Sequence, residues 1–124
     1  MVGVLKEKIE LVLIDISAEY KKQISLYRRM LKFSQQQEEI VNDADCINTD
    51  SLLKILNKRQ VIIEKIESSN KNVNVMKNEI CSILKIKEFN INRICDSTDC
   101  FAAGELHKIL KELADVICAI KDLD

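Results

Sequence analysis

DSLLKILNKRQVIIEKIESSNKNVNVMKNEICSILKI, residues 50–86, is the stretch that decides the fold class. Leu52, Ile55/Leu56, Arg59, Ile62/Ile63, Ile66, Ser69, Val73, Met76, Ile80 and Ile83/Leu84 step by three and four, the spacing of neighbours on one helix face. No proline or glycine interrupts the run. As one helix it would reach ~55 Å at about 1.5 Å per residue. A helix of that length with a broad apolar stripe cannot bury the stripe by itself, so it demands long partner helices. Ser68, Ser69, Asn70 and Asn72 form its weak place, since asparagine costs perhaps ~0.5 kcal/mol against alanine in a helix. The stripe resumes in phase at Val73 and Met76, which favours one helix with a soft midpoint over a break.

Outward from this stretch the pattern repeats. Leu5, Ile9, Val12/Leu13, Ile16, Tyr20, Ile24, Tyr27 and Leu31 hold one face of a first helix expected over residues 2–41. Beyond Phe33 the Gln-rich run 35–37 favours helix but offers little core, so that end is expected to project or pack loosely. Residues 42–49 form the clearest turn, because their Asn, Asp and Thr side chains compete for backbone groups. Thr49 or Asp50 is expected to cap the second helix. A linker over 87–98 follows, as a tethering loop or short helix. A third helix is then expected at about 99–122, capped by Ser97, Thr98 or Asp99, with Gly104 near its start. The expected architecture is all-α: one domain, 1–124, an antiparallel bundle of a long helical hairpin plus a third, shorter helix. The central stretch 50–86 is expected to organise it.

Composition agrees with that class and excludes others. The chain has no proline and two glycines, whereas sheet proteins need turn residues. With two tyrosines, three phenylalanines and no tryptophan, stacking platforms for nucleic-acid bases are not expected. Net charge is −1 overall. By segment it is −1 over residues 1–45, +4 over 46–95 and −4 over 96–124, so the acidic third element is expected beside the basic second. The five cysteines (Cys46, Cys81, Cys95, Cys100, Cys118) show no framework spacing and point to a reducing, cytoplasmic setting. The longest early apolar run, residues 9–16, contains Glu10 and Asp15 and is far short of a membrane span.

Chemistry is sparse. There is no Cys-x-x-Cys, and His107 is the one histidine, so neither metal nor cofactor is expected. Cys81 and Cys118 lie near the apolar faces of their helices and read as small hydrophobes. No glycine-rich phosphate loop exists, and no pair of carboxylates is singled out. The stripe on the first helix drifts between 3.5 and 3.6, so packing within the chain is the expected use of it, with monomer or homodimer both open.

A resemblance adds a functional expectation. Tyr27, Leu31, Gln36 and Ile40, an Asp-containing turn, and then Leu52-Leu53-x-x-Leu56-x-x-Arg59-Gln60-x-x-Ile63-x-x-Ile66 resemble the FlgN family of bacterial flagellar export chaperones. Ile83-Leu84-Lys85-Ile86 is similar to the end of that family's second helix. Glu105-Leu106-x-x-Ile109-Leu110-x-x-Leu113-Ala114 is similar to its third. The resemblance implies a non-enzymatic cytoplasmic protein that holds hook-associated, hook–filament junction proteins before export, with the export apparatus as a further partner. It also implies helix-in-groove recognition by the third helix. Leu106, Ile109, Leu110, Leu113, Val116, Ile117 and Ile120 would form the client-binding face, and the same positions equally suit burial against the first two helices. The alternative class is a coiled-coil scaffold or regulatory bundle that binds no export client.

Overall fold

The computed structural model describes residues 2–43, 48–90, 94 and 101–123. Among them the chain forms three α-helices and no strand: α1 (Val2–Val41), α2 (Thr49–Leu84) and α3 (Phe101–Leu123). The bundle runs up, down, up. The first half of α1 packs with the second half of α2 and the first half of α3, in one large core cluster. Met30 meets Ile62, Ile66 and Ile120 in a smaller one at the other end.

The organising element is α1, not the 50–86 stretch. Both α2 and α3 pack along α1 to the same extent, and they meet each other far less. The reason lies in stripe width. On α1, Ile9, Val12, Leu13, Ile16, Ser17, Tyr20, Gln23 and Ile24 are all buried, a set that includes adjacent positions and so covers two neighbouring faces. On α2 the buried set is Ile55, Ile62, Ile66, Ser69, Val73 and Ile80, a seam whose members all fall on one seven-residue repeat and which serves one partner. Leu56 and Ile63, one position off that seam, are left exposed.

The soft midpoint of α2 is continuous helix, and its polar residues have a use. The buried Gln23 amide donates to Ser69 Oγ at 3.1 Å and to Asn70 Oδ1 at 2.9 Å. Ser69 Oγ in turn donates to Glu19 Oε2 at 2.8 Å. Further along, Arg59 donates to Gln37 and to Met30 sulfur, so the Gln-rich end of α1 is tied to α2 rather than free. Lys8–Glu79 adds an exposed pair at 3.9 Å, of little energetic weight.

Helix ends depart from expectation in small ways. Asn48, not Thr49 or Asp50, caps α2, its Oδ1 accepting from the Ser51 N–H at 3.1 Å. α2 stops at Leu84 because Lys85 turns left-handed at φ 56°, and the N–H groups of Lys85 and Ile86 both reach the Cys81 carbonyl. Beyond it the tether is pinned. Ile94 is fully buried, and Ile86 and Phe89 pack partly buried on the large cluster. Lys77 lies 5.5 Å from the Tyr20 ring and 5.3 Å from the Phe89 ring, joining α1, α2 and the tether. The expected caps Ser97, Thr98 and Asp99 lie outside the described residues. Gly104 is the fourth residue of α3, near its start as expected.

Candidate functional site: helix faces available to a partner helix

The stripe expected to bind a client is placed in the core. Leu106, Ile109 and Leu113 are buried in the large cluster, with Leu110 and Ile117 half-buried against it. Ile120 is buried in the smaller cluster, and Val116 packs partly buried beside it. All seven therefore lie on one face of α3, brought together as the sequence suggests, and that face is occupied by α1. Leu106, Ile109, Leu113 and Ile120 alone amount to roughly 6–12 kcal/mol of gross apolar burial at about 1.5–3 kcal/mol per side chain. Their replacement by a client helix has to be an exchange of partners, since simple exposure to water would forfeit that sum.

Among the described residues, the third helix pairs its charges with the first helix and within itself. Its inter-helix ion pair is Glu112 with Arg28 of α1, and Lys108 pairs within α3 with Glu105 at 3.4 Å.

Two expectations about reactive groups resolve differently. His107 is exposed. Cys81 is half-buried, but Cys118 is exposed, which corrects its reading as a packed hydrophobe. Position 118 falls one step past Ile117 and turns away from α1. Cys46, Cys95 and Cys100 lie outside the described residues. Among the described residues no three His, Cys, Asp or Glu side chains gather where a metal ion could be held. Nor is any described helix long and apolar enough to cross a membrane. Burial holds the Tyr27 hydroxyl above the ordinary phenol range.

A second apolar surface was not anticipated. Leu11 (60% exposed) and Ile14 (51%) on α1, Val75 (68%) on α2 and Phe101 (79%) on α3 are exposed large apolar residues. Ile14, Val75 and Phe101 gather around Ala18. On one side Ala18 shares a groove of about 320 Å³ with Ile14, Ser17 and Phe101, between α1 and α3. On the other it shares a groove of about 440 Å³ with Val75 and Met76, between α1 and α2. Ser17 Oγ, buried in the first groove, has no hydrogen-bond partner among the described residues. The signal was in the sequence: residues 9–16 are apolar on nearly every side, and a helix apolar all round needs more than one partner.

With this geometry in hand, comparison of the chain with family models, curated proteins and solved structures gives no match.

Proposed function

We propose that the chain is a non-enzymatic export chaperone that holds hook-associated flagellar proteins in the cytoplasm until secretion. The observation that supports this reading is the way α3 is held. It packs on α1 and hardly on α2, while α1 and α2 carry their own cross-links through Gln23, Ser69, Asn70, Arg59 and Gln37. A client helix can therefore take the place of α3, or pair with its apolar stripe, without dismantling the hairpin.

The test is calorimetric titration of the purified chain with purified hook–filament junction proteins. Saturable binding that falls at least ~10-fold with Leu110→Asp supports the reading, because a charge on that half-buried position opposes either mode of pairing. Absence of binding by the unaltered chain refutes the chaperone assignment. A scaffold role is the second reading, and the exposed surface around Ala18 favours it, since such patches mark interaction sites.

A further inference from the structure

α3 is not held evenly along its length. Near its start Ala103 and Leu106 have no exposure, and Ala102, Ile109 and Leu113 are buried with them in the large cluster. The tether closes over the same end. Ile94 is fully buried, Ile86 and Phe89 pack on that cluster, and Lys77 joins the Phe89 ring to the Tyr20 ring of α1. Past Leu113 the one buried side chain of α3 among the described residues is Ile120. It sits with Met30, Ile62 and Ile66 in the small cluster, and Val116 packs partly buried beside it. That far end is also incompletely filled. Leu123 shares a groove of about 420 Å³ with Ser34 and Val41 of α1 and Arg59 of α2. Ser34 is 3% exposed, and its hydroxyl has no hydrogen-bond partner among the described residues, an arrangement that access to water relieves. Beyond Glu112, no ion pair joins α3 to another helix among the described residues.

We infer that α3 is a flap that opens from its C-terminal end: residues 114–123 unfold from the bundle as one unit while residues 102–113 stay docked. Releasing the far half gives up the burial of Ile120 and the partial burial of Val116 and Ile117. Releasing the near half gives up Ala102, Ala103, Leu106, Ile109 and Leu113, together with the tether packed at that end. Local openings are drawn from the segments with the fewest buried apolar contacts, so the end with one anchor lets go first. The opening uncovers Met30, Ile62 and Ile66 and gives the Ser34 hydroxyl access to water. The tether is then the fixed end of the flap. This order follows from packing within the chain and does not depend on the chaperone reading.

Native-state hydrogen exchange of the full chain, followed amide by amide in rising urea, tests the order of opening. Amides of residues 114–120 are at least ~100-fold less protected than those of 106–113. Their exchange also responds less to urea, because a local opening exposes little surface. Ile109→Val trims the docked half without threatening the fold. It lowers protection in 106–113 roughly 2- to 10-fold and leaves 114–120 unchanged, since position 109 stays packed in the open form. Equal protection across 106–120, with loss confined to the last turn, overturns the inference. So does an Ile109→Val variant in which both halves lose protection together, because α3 then opens as a single unit.

Discussion

Replacing Gln23 by leucine separates what holds the hairpin together from what sets its register. Gln23 is 2% exposed, and its amide nitrogen donates two hydrogen bonds across to α2. At about 1 kcal/mol net per bond, their loss costs ~2 kcal/mol. Leucine has nearly the same volume and removes a buried amide whose desolvation costs ~1–3 kcal/mol. Nothing is orphaned: Ser69 Oγ still donates to Glu19, and the exposed Asn70 side chain turns to water. The two sides nearly cancel, so Gln23→Leu should shift stability by less than ~1 kcal/mol. Gln23→Ala, which loses the bonds and leaves a cavity, should cost about 2–3 kcal/mol.

Register is another matter. The seam on α2 repeats every seven residues, so a slide by seven would still set apolar against apolar. Gln23 then faces Ile62 or Met76 in place of Ser69, with its amide unpaired. The leucine variant removes that penalty and should show broadened or doubled amide resonances at unchanged stability. Urea unfolding followed by circular dichroism, with amide NMR, reads both effects. A loss of ~3 kcal/mol or more in Gln23→Leu would mean the network holds the hairpin, and the reasoning fails.

Three further outcomes are expected. Leu106→Ala, at a position with no exposure, should cost about 2.7–5 kcal/mol in urea unfolding, against under ~1 kcal/mol for Leu56→Ala at 40% exposure. Gly104→Ala should raise stability by ~1 kcal/mol, because the position is inside α3 and a Cβ there meets nothing within 4 Å. For Tyr27, the folded state holds its proton above the ordinary phenol pKa of ~10. The unfolded chain therefore releases that proton first, and the contribution is intact below about pH 10 and lost as pH rises through the folded value. Tyr27→Phe should flatten stability against pH in that alkaline window and leave it unaltered at pH 7; equal slopes for the two chains would contradict the burial.

The elements were legible because period, missing proline and turn chemistry all agree on three helices; the bounds of α1 coincide with those read in sequence, and those of α2 and α3 differ by one or two residues. Which helix is central was not legible. That depends on whether a stripe serves one partner or two, and both stripes step by three and four. Adjacent buried pairs such as Val12/Leu13 and Ser17 beside Ile16 mark α1, but the pairs Ile55/Leu56 and Ile62/Ile63 mimic them on α2, where one member of each is exposed. Ser69 read as a helix weakness because its partner Gln23 is 46 residues away. Periodicity speaks of neighbours on one helix and is silent on such pairs. The α3 stripe was read correctly as one face, yet a core stripe and a binding stripe carry the same residues, and only packing tells them apart.

In the proposed function, α3 is the element exchanged when a client helix arrives. Hydrogen exchange of the chain, alone and with saturating purified hook–filament junction protein, addresses this most directly. The account predicts altered protection throughout Phe101–Leu123 and in the facing residues of α1, with the amides around Ser69 unchanged. Protection of α3 that stays the same on client binding, with changes confined to Leu11–Ala18, would contradict it and place the client on the closed bundle.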